Sequence, residues 1–117
     1  MIHGTNNNGW VNVPGCMKTE ARRLLTNEAL QVLEVKVNPG GEIPLHAHNC
    51  AATMIVTEGE AKATGHTPRQ VKKGDIIVKK PREAHGFTQV DSPFVFISVS
   101  DGEGIMHETD WDIGYVR

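Results

Sequence analysis

The chain has 117 residues, 12 Lys plus Arg against 14 Asp plus Glu, and a formal net charge of −2, which fits one domain with a modest core. Both signs are scattered: no basic stripe suits nucleic acid, and no block of like charge suggests a tail or a membrane-surface patch. Met1-Ile2-His3-Gly4-Thr5-Asn6 lacks the basic and apolar regions of a signal peptide, and the apolar runs around Ala51 to Val56 and Phe94 to Ile97 are too short to span a membrane, so a soluble, cytoplasmic protein is expected.

Residues 1 to 9, rich in glycine and asparagine, read as a loose arm. Trp10, Val11 and Val13 suggest a short extended segment ended by Pro14-Gly15. Cys16 to Leu25 is the one helix candidate, although Arg22 to Leu25 also reads as a short strand before a turn at Thr26-Asn27-Glu28. Leu30 to Val37 is β-rich, and Asn38-Pro39-Gly40-Gly41 is a strong turn. Residues 43 to 48 are extended and carry His46 and His48. Residues 52 to 57 form a strand, with a hairpin turn at Glu58-Gly59-Glu60 and a return over Ala61 to Thr64.

Turns follow at Gly65 to Pro68 and at Lys72-Lys73-Gly74-Asp75, then a strand at Ile76 to Lys79 and a loop at Lys80 to Glu83. His85 to Val90 and Pro93 to Ser100 read as a hairpin across Asp91-Ser92, and a tail carries Trp111 and Tyr115. No long helical period runs through the chain. Short strands punctuated by glycine and proline every ~8–12 residues point to an all-β barrel or sandwich.

The chemistry concentrates in histidine. Two histidines at i and i+2 share one face of a strand, so His46 and His48 point together, and His85 on a later strand can complete a three-nitrogen metal site. Three converging imidazoles without a bound partner would be unfavourable to bury. The two cysteines, Cys16 and Cys50, do not make a disulfide framework; Cys50, two residues after His48, is a minority candidate for the same cavity. Phe87, Phe94 and Phe96 read first as core and second as the apolar wall of a pocket. Gln89 is either a hydrogen-bonding group in the cavity or a solvent-facing strand residue. Arg22, Arg23 and Arg82 suit carboxylate recognition but read as surface residues, as do His66 in its turn and His3 in the arm. The glycines read as backbone turns, because no phosphate-loop spacing surrounds them, and no nucleophile motif is present.

Gly40, His46, His48 and Gly59 fall at the spacing of G-x5-H-x-H-x3-E-x6-G, and Gly74 and His85 at that of G-x5-P-x-G-x2-H-x3-N. On these residues the chain resembles the small single-domain cupins, over about residues 30 to 101, with an N-terminal arm at 1–29 and a C-terminal tail at 102–117. The resemblance implies a double-stranded β-helix, a jelly-roll barrel, and a metal held by three histidines and a glutamate. The sequence departs from the pattern in several places. Pro81 is displaced by one, the inner glycine is absent, Gln89 replaces asparagine, and Ala52 stands where the glutamate belongs. The implied metal set is therefore His46, His48 and His85, with Cys50, Ala52, Met54, Phe87, Gln89 and His107 as pocket candidates and Glu42 and Glu83 as further ligands to consider.

Three neutral ligands would leave a dication with about two positive charges rather than one, which favours an anionic ligand. The expected cofactor is one divalent transition metal (Fe, Zn, Ni, Cu or Mn). Two functions follow, with a purely structural dimer subunit as a third reading. One is an enzyme on a small polar or anionic molecule, dioxygenase-like or a Lewis-acid isomerase or lyase. The other is a non-catalytic small-ligand or metal-sensing module. A homodimer is expected, because paired edges solve the exposed-edge problem, with residues 8 to 25 contributing strands or an arm.

Overall fold

The computed structural model describes residues 2, 4, 9–66, 68–102, 104–107 and 110–116; His3 and most of the arm lie outside them. Ten strands follow in order: β1 (Val11–Asn12), β2 (Met17–Thr26), β3 (Leu30–Ala47), β4 (Ala52–Glu58), β5 (Glu60–Gly65), β6 (Arg69–Lys72), β7 (Ile76–Lys79), β8 (His85–Thr88), β9 (Phe94–Asp101) and β10 (Gly114–Tyr115). No helix occurs among the described residues. The Cys16–Leu25 helix candidate is instead most of β2, paired antiparallel with β3 from Met17↔Glu42 to Thr26↔Gln31. β-branched and apolar residues on β3 supply a partner along its whole length, which an isolated short helix would lack.

The architecture is a curled antiparallel jelly roll, and β3 is its spine. The first half of β3 lies between β2 and β9, with Val35 opposite both Ala21 and Phe96. Its second half lies between β8 and β10, with His46 opposite both His85 and Tyr115. The corner between the halves is the expected Asn38–Gly41 turn. Gly40 has φ +81° and donates its N–H to the Val90 carbonyl at 2.8 Å, while a Cβ on Gly41 would sit 2.7 Å from the Met17 carbonyl oxygen. Glycine lets the strand turn from one sheet to the other without ending.

Both expected hairpins prove to be crossovers. β4 pairs with β7 and β9, whereas β5 pairs with β6 and β8, so the chain leaves one sheet for the other at Gly59. A Cβ there would lie 2.1 Å from the Pro93 carbonyl oxygen, and its φ is +75°. β8 and β9 likewise flank β3 rather than each other. Turn residues specify a change of direction; they do not specify the partner that the returning strand will meet.

The core lies between the sheets. Along β3, Gln31, Leu33, Val35 and Val37 are buried and alternate with half-exposed residues, the period-2 pattern of a strand with one inward face. Phe87, Phe94 and Phe96 pack with ring centroids 5.1 to 5.7 Å apart, each contributing about 2–3 kcal/mol by burial. Residues 105–107 and 110–116 return over the barrel mouth. Buried Gln31 anchors this return: its Oε1 accepts the Ile105 and Met106 N–H groups at 2.8 and 2.9 Å, and its Nε2 donates to the Met106 carbonyl at 2.8 Å. β10 then joins β3 beside His46.

Candidate metal centre

Cross-strand pairing puts His46 opposite His85, and the i, i+2 spacing brings His48, just past the end of β3, onto the same face. The ring centroids of His46 lie 4.7 Å from His48 and 4.3 Å from His85. One ring nitrogen from each histidine fits within a span of 4.8 Å. His46 Nδ1 donates to the Pro44 carbonyl at 2.8 Å, His85 Nδ1 to the Glu83 carbonyl at 3.3 Å, and His48 Nδ1 to the Asp112 carbonyl.

A carbonyl only accepts, so in each ring Nδ1 carries the proton and Nε2 presents a lone pair. The Nε2 atoms of His46 and His48 then face each other at 3.1 Å with no proton between them. Two donors ~2.1 Å from one ion lie ~3.0 to 3.4 Å apart for right-angled to tetrahedral placement, so this separation suits a shared cation. Backbone carbonyls that fix the tautomer are the usual outer partners of metal-ligating histidines.

Burial holds these rings neutral. It depresses His46 to about 4, with help from the neighbouring His48 and Lys79 charges. It depresses His85 to about 3, with His46, Lys79 and His48 adding to the effect. His48 is lowered mainly by burial, against the Asp112 carbonyl and carboxylate, which favour its charged form. All three are ready to bind a metal at neutral pH without first losing a proton.

The histidines line a cavity of about 50 Å³ whose walls are otherwise mostly apolar, formed by Ala52, Met54, Phe87 and Phe96 and roofed by Trp111 and Ile113. That is room for a few waters or a small ligand group. Among the described residues, Cys16 and Ser98 also line it, and none of those lining it is a carboxylate.

Among the remaining sequence candidates, Ala52, Met54 and Phe87 face this cavity, but three do not. Gln89 is exposed at φ +57°, since β8 ends at Thr88 and the chain turns outward. Cys50 and His107 line a separate outer cleft of about 810 Å³, with Asp101 and Asp112, on the far side of the Trp111–Ile113 roof. There the Cys50 thiol is pushed up by burial and by both aspartates. Glu42 is exposed, and Glu83 accepts the Lys80 N–H at 2.9 Å. Arg22 pairs with Glu34 at 2.7 Å and Arg23 donates to the Met106 carbonyl, so both serve the fold; Arg82 and His66 are exposed.

Asp112 and Gln31 have no motif to announce them. Asp112 acts through its backbone, which no residue preference reveals. Gln31 carried a readable signal: it is a polar residue in phase with Leu33, Val35 and Val37.

The chain matches none of the curated protein sequences. Its fold is similar to that of the polyketide cyclase RemF from Streptomyces resistomycificus, at TM-score 0.80 and 21% identity over 100% of this chain and 85% of that one. It is also similar to a cupin-2 domain protein from Rhodospirillum rubrum (TM-score 0.79, 14% identity, 100% of this chain and 80% of that one). A predicted oxalate decarboxylase from Thermotoga maritima superposes at TM-score 0.74 with 20% identity, over 87% of this chain and 99% of that one. At these identities the likeness is one of fold. Residues 33–100, more than half of the chain, match the cupin domain family, and to that family the chain belongs.

Proposed function

We propose that this protein is a metal-dependent enzyme that uses His46, His48 and His85 to hold one divalent transition ion and acts on a small oxygen-donor anion with an apolar body. The observation that carries the reading is the set of three imidazoles whose Nδ1 protons are all committed to backbone carbonyls, leaving their Nε2 lone pairs turned on one another. Bound there, an ion would supply Lewis-acid polarisation of a carbonyl or stabilisation of an enolate.

The residues of the chain would do the rest. The carbonyls of Pro44, Glu83 and Asp112 hold the ring tautomers. Phe87, Phe96, Met54 and the Trp111–Ile113 roof exclude water and strengthen every charge interaction within the cavity. With no carboxylate among the cavity's described lining residues, the chemistry favoured is isomerisation, cyclisation or lyase-type bond cleavage rather than hydrolysis by a protein base. The polyketide cyclase and predicted decarboxylase among the similar structures fit that class. Dioxygenase-like chemistry is the variant for a redox-active ion. The lack of a carboxylate among the described lining residues also favours a second reading, a sensing module that binds without turnover.

The same proposal takes the protein as a cytoplasmic homodimer. Val11 and Met17, both exposed in the N-terminal hairpin, support an interface there, and a monomeric mass at micromolar concentration refutes it. The decisive experiment is elemental analysis of the purified protein beside His48→Ala. About one transition metal per chain, lost in the variant, supports the enzyme. No uptake of ferrous, zinc, nickel or copper ions by either protein overturns it.

A further inference from the structure

The inward face of the β4–β7 pair carries an unexpected cation. Ala52 and Met54 of β4 line the histidine cavity, and their cross-strand partners on β7 are Lys79 and Ile77. Directly opposed residues on one face of an antiparallel pair hold their Cβ atoms about 4.5–5.5 Å apart, so the stem of Lys79 starts beside the wall of the cavity. Lys79 is only 7% exposed, unusual for a lysine, since most lysines reach water. Its ammonium makes no hydrogen bond or ion pair with another described residue. The acid acting on it is Glu83, whose carboxylate is already committed to the Lys80 N–H.

The charge reaches the metal centre. Lys79 acts electrostatically on both His46 and His85, and burial lowers its own pKa against the nearby Glu83 carboxylate, which raises it. The sequence places the alanine of this pair where the first motif has its glutamate. A carboxylate at that position would face the lysine across the strands; the alanine offers it no charge from this side. Three neutral imidazoles thus line the cavity with no carboxylate among its described lining residues, while Lys79, behind the Ala52 wall, borders an adjoining cleft of about 260 Å³ with Ala52 and another of about 240 Å³ with Asp75 and Glu83.

We propose that Lys79 is an anion-binding residue of this site, completing with the three-histidine centre a receptor for a carboxylate or enolate that enters beside Ala52. The ligand supplies the negative charge that the protein omits. This inference rests on the metal-centre reading above for the second half of the receptor, while the lysine half stands on its own geometry. An ammonium to carboxylate hydrogen bond within a mostly apolar enclosure is among the stronger polar contacts, and it selects anions over neutral molecules of the same shape.

Acetate and acetamide, nearly identical in size and different in charge, make the test. Both are titrated into the cobalt(II)-loaded wild type and Lys79→Met, with visible absorbance as readout and cobalt content measured in parallel. The expected result is cobalt retained in both proteins, acetate preferred over acetamide in the wild type, and acetate affinity reduced roughly tenfold or more in Lys79→Met with acetamide unchanged. Lys79→Arg should recover part of the preference. Equal acetate affinity in wild type and Lys79→Met overturns the assignment and leaves Lys79 a lysine that reaches solvent between the sheets.

If neither protein takes up cobalt, the metal reading falls, and the lysine is judged on metal-free protein by melting temperature. A rise with acetate in the wild type, absent in Lys79→Met, supports the anion site. An equal rise, or none in either, overturns it.

Discussion

The backbone carbonyl of Asp112 accepts the Nδ1–H of His48, so the segment that roofs the cavity also orients one of its three converging nitrogens. The Asp112 side chain fastens the arrangement: Oδ2 accepts the Asn49 N–H and Oδ1 accepts from Asn49 Nδ2, both at 2.8 Å. The residue after His48 and the residue bonded to His48 are thus clamped to each other. Asp112→Ala removes the clamp and leaves the carbonyl free to drift. Outer partners of this kind typically carry about 10–100-fold in metal affinity, so zinc held against a competing chelator should be about tenfold weaker in the variant, with a loss of about 1–2 kcal/mol in urea unfolding. Unchanged zinc affinity alongside lowered stability would reduce the clamp to a structural role.

The roof's other anchor is Gln31, and its removal has a different signature. Gln31→Leu fits the apolar phase of β3 but strips partners from two N–H groups and one carbonyl of Ile105 and Met106. Buried backbone groups left unpaired are heavily penalised, and the expected destabilisation is about 2–4 kcal/mol. Amide exchange at residues 105 and 106 should rise by far more than at β9, because a freed strap opens locally before the barrel does. Uniform exchange across the chain would mean that the strap and barrel open as one unit.

What the sequence made legible follows from the range over which each signal acts. The spacing of Gly40, His46, His48 and Gly59 is local, and it survives intact as one strand half and its corner. The period-2 alternation of β3 is also local and marks its inward face. β7 reads Ile76, Ile77, Val78, Lys79 with Ile76 and Val78 exposed and Lys79 buried, so hydropathy points the wrong way and conceals the lysine. The two crossovers at Gly59 and at Asp91-Ser92 carry the same turn residues as hairpins, and only the distant pairing of β4 with β9 tells them apart. For Gln89 and Cys50 the spacing from a histidine left a cavity position open; the strand end at Thr88 and the loop after His48 carry them out of phase.

Acidification should weaken the metal-free protein, and the sign follows from the three depressed imidazoles. His46 and His85 titrate at about 4 and about 3 in the folded chain against an ordinary 6.5, and His48 is shifted the same way. Between those values the unfolded chain binds more protons than the folded one, so stability rises with pH across the window. It is fully present above about 6.5 and is lost as pH falls through 5 toward 4 and 3. Urea midpoints in chelator at pH 7, 6 and 5 check the direction. A companion result is calorimetric: because the rings are already neutral at pH 7, zinc uptake should release few protons, and its apparent enthalpy should not change between buffers of different ionisation heat.

Restoring the carboxylate tests how Ala52 and Lys79 divide the site between them. Ala52 is 4% exposed, borders the cavity and faces Lys79 across the strands. Ala52→Glu places an anion within reach of both the lysine and the three imidazoles. In metal-free protein the added side chain crowds a packed wall, which destabilises by about 1–3 kcal/mol, less whatever pairing with Lys79 recovers. In metal-loaded protein the new charge offsets the ion's, so zinc retention should rise by about tenfold while acetate affinity falls, since the protein now supplies the anion that the ligand otherwise brings. Tighter zinc with weaker acetate is the expected pair of results. Weaker zinc would place the glutamate on Lys79 alone, and unchanged acetate affinity would show that the ligand does not use this wall.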